Sequence, residues 1–207
     1  MTATPLASLF MEKANAVSIS VTEVASMADV FSYALHLCKE KEPYQNLLPK
    51  GVNSTTVAAK PADLGDAQKV IAAPGLAEED LKALQKLGEK EGILVISCGL
   101  RNFVAGLDVS VTMATMGIAE TATCVLDCSD EEVRLASMLC EDHVMVLPKS
   151  VLQQSSFDVE QAIEALQKKG PRFISFISGA SRTADIERVL ALGVHGPLQL
   201  HVLLLEA

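Results

Sequence analysis

From residue 70 onward, short aliphatic runs alternate with stretches whose apolar residues recur every three or four positions. The runs ILVISCG (93–99), VMVL (144–147), RFISFIS (172–178) and LQLHVLLL (198–205) predict strands buried on both faces. The intervening stretches predict helices: AEEDLKALQKLGEKEG (77–92), SDEEVRLASMLC (129–140), FDVEQAIEALQKKG (157–170) and TADIERVLALG (183–193). The first of these has acids in its opening turn and a glycine at its end, and the second is announced by a capping-box spacing, Ser129 to Glu132. Earlier, SMADVFSYALHLCKEK (26–41) places Phe31, Ala34, Leu35 and Cys38 on one helical face, with Ser26 and Asp29 spaced as a second capping box. YQNLLPKGVNST (44–55) reads as loop and STTVAAK (54–60) as a short strand. Residues 100–128 carry no helical period. Their Thr, Val and small residues predict extended segments and turns.

This alternation implies an α/β fold: an open, largely parallel sheet with helices on both faces. In such sheets ligands sit beyond the carboxyl ends of the strands. The length, 207 residues, suits a single α/β domain over 1–207, with room for a helical N-terminal extension over 1–50. Aromatic residues make up only 4% of the chain, so the core must be aliphatic. A net charge of -9 without any block of Lys or Arg disfavours nucleic acid and anionic membranes as partners. No apolar run reaches the length of a membrane span, and the first residues lack a basic leader. With five cysteines, an odd number, a cytoplasmic protein with reduced thiols is expected.

The segment SGASRTADIERVLALGVHGP (178–197) concentrates candidate chemistry between two apolar runs. Gly179 permits a turn or a close backbone approach. Ser181 or Thr183 can cap the helix expected over 183–192, and Arg182 offers a planar fork suited to carboxylate or phosphate. Plain helix capping accounts for the same residues, with Asp185 and Glu187 already supplying negative charge to the first turn. His195 follows that helix, so about 15 Å of helix would separate it from the Ser-Arg-Thr loop.

The strings GIAETATCVLD (117–127), EEVRLASMLCEDHVMVL (131–147) and SGASRTADIERVLALGVHGPLQLHVLLL (178–205) resemble the LUD-domain family, named for lactate utilisation, in its stand-alone C-subunit form. The resemblance runs from Asp108 to Leu205. It implies a fold similar to the NagB, ribose-phosphate isomerase and CoA-transferase group. It also implies work with iron-sulfur partner proteins in oxidising L-lactate to pyruvate. The sequence carries no redox-cofactor motif, so a non-redox subunit that binds a small anionic ligand is expected. The family pattern is broken at three positions: Ala122 stands for a usual Gly, and Ala180 and Cys140 each stand for a usual Pro.

Kinship with CoA transferases suggests Glu120 as a catalytic nucleophile or base beside Thr121; a carboxylate holding a tight turn is the alternative. Arg134 fits either a partner of Glu120, an anion ligand or a surface charge. Asp108, Ser110 and Thr112 form a polar face that suits solvent or a pocket wall. Cys124, Cys128 and Cys140 lack the spacing of an iron-sulfur or zinc site and read as buried thiols, and the histidines read as ordinary packed or surface residues. No metal site is expected, and the sequence names no cofactor. The second functional reading is a transferase or isomerase acting on a CoA thioester or sugar phosphate. A homodimer that completes a cleft is compatible with both.

Overall fold

The structure, a computed structural model, describes residues 5–43, 69–180 and 196–206, together with the backbone of 182–183 and 191–192. Six parallel strands form the main sheet in the order β1-β12-β7-β4-β2-β3. They are β1 (Ser20–Val24), β2 (Val70–Ala72), β3 (Leu94–Ile96), β4 (Leu107–Met113), β7 (Cys140–Pro148) and β12 (Gln199–Leu205). A second sheet of four short strands has the order β8-β5-β6-β9. Its members are β5 (Met116–Ile118), β6 (Thr123–Asp127), β8 (Leu152–Gln153) and β9 (Ile174–Ile177).

Period-two alternation explains how the main sheet is covered. Val144 and Val146 of β7 face one way, with Val109, Val111 and Leu203, against helices α2 (Met27–Lys39) and α3 (Glu78–Lys90). Met145 and Leu147 face the other way, with Val202 and Leu204, against α1 (Pro5–Ala16) and the second sheet. α4 (Glu131–Leu139) covers the remainder of that face through Ala136, packed with Leu100, Phe103 and Leu107. α5 (Glu160–Gln167) lies on the outer face of the second sheet, where Ile163 and Leu166 meet Met116, Ile118 and Val125. Within residues 5–39, β1 pairs with β12, and α1 and α2 cover opposite faces of the main sheet.

The expected capping box of α2 forms, with the Ser26 side chain accepting from Asp29 N–H and Asp29 accepting from Ser26 N–H. The box expected at α4 does not. Asp130 caps that helix instead, accepting from Glu132 N–H at 2.9 Å. Ser129 accepts from Phe173 N–H, tying the turn to the chain before β9. The Glu132 carboxylate is engaged elsewhere, accepting from Gly99 N–H at 3.0 Å and Leu100 N–H at 2.9 Å. A tertiary pair of backbone donors has displaced the local one. Beside it, Val133 lies against Gly75, so the start of α4 fills the crevice past the ends of β2 and β3.

The alternating polar face of β4 is not solvent-facing; Asp108, Ser110 and Thr112 are all buried. Asp108 accepts from Val70 N–H at 2.7 Å, Ser110 Oγ donates to Cys140 Sγ, and Thr112 Oγ1 lies 2.8 Å from His143 Nε2. Burial lowers the His143 pKa to about 4, with a smaller contribution from His201.

Ser18, exposed in the turn between α1 and β1, has φ 58°, a conformation that costs an L-residue about 1 kcal/mol. Ser18→Gly is expected to stabilise the fold by about that amount, raising Tm by roughly 2–4 °C in a thermal melt. Ala122 is also left-handed, at φ 49°, but its methyl is fully buried. There Ala→Gly is expected to be close to neutral, because the lost methyl burial, about 0.8 kcal/mol, offsets the relief.

Candidate functional site

The two sequence strings that carry most of the candidate residues meet at one end of the second sheet. β6 pairs antiparallel with β9, Cys124 opposite Ile177, which sets Thr123 beside Ser178 although 55 residues separate them. Thr123 Oγ1 lies 2.6 Å from Ser178 Oγ and 2.7 Å from Thr121 Oγ1, so three hydroxyls form a chain. Thr121 and Ser178 are exposed, whereas Thr123 is buried. The left-handed turn at Ala122 brings the Thr121 and Thr123 hydroxyls together.

Gly179 follows directly, at φ 128°. A side chain there would be strained and would approach Val17 O to 3.3 Å. Its close approach is thus to the end of α1, which floors the site with Ala7, Phe10 and Ala14 packed near Ala119 and Ala122. Glu120, next to Thr121, is exposed; its Oε1 accepts from Ser156 N–H at 3.1 Å while its own N–H donates to Gln154 O. The carboxylate holds the turn to the segment before α5.

Beyond Gly179, the backbone at Arg182–Thr183 (β10) pairs antiparallel with Ala191–Leu192 (β11). The ends of the helix expected over 183–192 are therefore extended and side by side. The expected helix does not run through Thr183 and Ala191. β9, from which this segment departs, belongs to the mixed second sheet and not to the parallel one. Ser181, residues 184–190 and His195 lie outside the described residues, as do the loop and strand expected over 44–60.

Arg134 does not join this group. It lies at the other end of the β6–β9 ladder, roughly 15 Å along the strands. There its guanidinium donates to Cys128 O, pairs with Glu131 at 3.4 Å and stands 5.4 Å from the centre of the Phe173 ring. The thiols are as expected from their spacing: Cys38, Cys124, Cys128 and Cys140 are buried, Cys98 is exposed, and none is in a disulfide. Burial pushes Cys124 and Cys140 up to about 12, which keeps them protonated and inert at neutral pH. Among the described residues no His, Cys, Asp and Glu are grouped as a metal ion requires, and no helix is long and apolar enough to cross a membrane.

Thr123 and Ser178 are the site residues that the sequence did not mark. Their signal is two-residue alternation with Thr121 and proximity to Gly179, which becomes meaningful only once β6 and β9 are paired. A cavity of about 390 Å³ elsewhere, between α5 and the ends of β4 and β7, is lined by none of the residues singled out from the sequence.

A parallel α/β sheet whose second, mixed sheet carries a hydroxyl-lined motif junction defines the class of protein. The LUD domain model matches residues 7–205, and the chain belongs to that family. It is similar to proteins named Lactate utilization protein C, with 36% identity over 109 residues to that of Exiguobacterium sp., covering 51% of this chain and 47% of the relative. Identity is 38% over 94 residues to that of Shouchella clausii, covering 44% and 41%. The matches thus span less than half the length of these relatives. A crystal structure of a DUF162 family protein from Deinococcus radiodurans aligns over 99% of both chains with a TM-score of 0.56 and 18% identity, a likeness of fold.

Proposed function

We propose that the chain is a LUD-domain subunit of a lactate-utilisation system in the cytoplasm. It binds a small anion at the motif junction and leaves the redox chemistry to iron-sulfur partners. The observation that carries this reading is the Thr121–Thr123–Ser178 hydroxyl chain, which ends at the residue before Gly179. Exposed hydroxyl donors, with Arg182 four residues after Ser178 in the chain, suit a carboxylate, and the curated relatives bear the lactate-utilisation name. Docking of a partner is supported by β9, an edge strand among the described residues, where Phe176 and, just before the strand, Phe173 are each about half exposed (52% and 53%).

A thermal-shift screen over lactate, pyruvate, phosphate, sugar phosphates and CoA esters tests the ligand. Lactate or pyruvate at a hundredfold excess over Kd should stabilise the protein by about 2.7 kcal/mol, an effect lost in Arg182→Ala and Ser178→Ala. No shift in the wild type with either acid at millimolar concentration would remove the reading. A shift confined to CoA esters or sugar phosphates would favour a transferase or isomerase. The partner half is tested by co-purification with iron-sulfur proteins, expected to fail for Phe173→Ser/Phe176→Ser.

A further inference from the structure

The cavity of about 390 Å³ opens between α5 and the segments that leave β4 and β7, past the carboxyl ends of two central strands of the parallel sheet. That is where small molecules bind in folds of this class, and the volume is in the range of ligand pockets. Ala162 and Ala165 of α5, both exposed, line the cavity's open side, where larger residues would fill the space. The walls are mostly apolar: Met116, Val151, Val159 and Leu166.

Its two ends differ in charge. At the start of α5, Asp158 is already engaged, accepting from Ser155 N–H at 2.8 Å and from Ser155 Oγ at 2.7 Å. At the far end, roughly 16 Å along the helix, stands Lys169, which forms no ion pair among the described residues. Lys168, its neighbour, is already paired with Glu164. Thr115, Ser150 and Gln153 add neutral hydrogen-bonding groups along the wall.

We propose that this cavity binds an amphipathic carboxylate, its head group on Lys169 and its aliphatic or aromatic body along Met116, Val151, Val159 and Leu166. A three-carbon acid would leave most of the space empty, so the ligand is not lactate or pyruvate. This inference stands apart from the motif junction, whose residues do not line the cavity.

Titration calorimetry with sodium octanoate, and with octylammonium as the charge-reversed control, tests it. Octanoate is expected to bind the wild type. Lys169→Glu should weaken it at least tenfold, Lys169→Arg should retain it within about threefold, and Ala165→Trp should abolish it by filling the groove. Ala165 is exposed, so the tryptophan does not invade the core; unchanged circular dichroism and Tm without ligand would confirm that each variant is folded. Arg182→Ala should bind octanoate like the wild type. The proposal is overturned if wild type does not bind octanoate, if octylammonium binds as well, or if octanoate binding survives either Lys169→Glu or Ala165→Trp.

Discussion

Asp142→Ala is expected to lower the unfolding free energy by about 3–5 kcal/mol, the range for breaking a buried ion pair from one side. Asp142 lies at the amino end of β7 and is almost wholly buried. Its Oδ2 takes a short contact from Lys41, just past α2, while Lys41 also pairs with Glu141 at 2.8 Å. The other oxygen faces His201 Nε2 at 3.6 Å, beyond hydrogen-bond reach, and among the described residues neither atom has a hydrogen-bond partner. The opposite ring nitrogen of His201 lies 2.9 Å from Tyr33 Oη on α2. The group therefore ties α2 and the chain beyond it to the adjacent strands β7 and β12.

Removing the Asp142 carboxylate leaves the Lys41 ammonium with Glu141 and the Asp108 carbonyl in a site only 14% exposed. Lys41→Met should also be costly, because it leaves Asp142 charged and buried. The double variant should cost less than the sum of the two, since neither charge is then stranded. Urea unfolding of the four proteins measures the coupling. A cost below about 1 kcal/mol for Asp142→Ala would show that the group contributes no more than a surface pair.

The second large effect concerns pH. His143 sits wholly inside the sheet against Thr112, and burial holds its pKa at about 4 against an ordinary 6.5. Between those values the unfolded chain binds a proton that the folded protein does not, so stability must fall as pH drops from 6.5 to about 4. The gap corresponds to about 3 kcal/mol. His143→Gln, which keeps a polar side chain for Thr112 but does not titrate, should flatten this decline; denaturant melts at pH 7 and pH 4.5 would measure it. An equally steep decline in the variant would place the proton elsewhere. Asp142 acts in a different window. Burial would raise its pKa, but His201 and Lys41 outweigh that and hold it below the ordinary carboxyl value. Its contribution is present above about pH 4 and is lost only as pH falls below that.

Much of the architecture could be read before any coordinates. The face of Phe31, Ala34, Leu35 and Cys38 on α2, the Ser26–Asp29 cap and the acid-led α3 are features of single segments. So are the aliphatic runs that became β3, β7, β9 and β12. Amphipathic period and capping act within a few residues, so the sequence states them openly.

What escaped the sequence depends on partners distant along the chain. Asp108, Ser110 and Thr112 alternate just as a solvent-facing strand would, and only the covering helix and His143 make that face interior. Ser129 and Glu132 have capping-box spacing, yet backbone groups at Phe173, Gly99 and Leu100 hold their side chains. Thr183 and Ala191 read as helix but are paired as strand. The motif junction itself exists only because β6 pairs with β9 in a second sheet that periodicity could not separate from the first. By itself, then, the sequence determined the α/β class, most of the helices and the family. The tertiary structure decided the division into two sheets, which polar residues are buried, and which candidates share a site. The physical reason is range: helical period and caps are settled between near neighbours, whereas strand pairing and burial of polar groups are settled by residues tens of positions away.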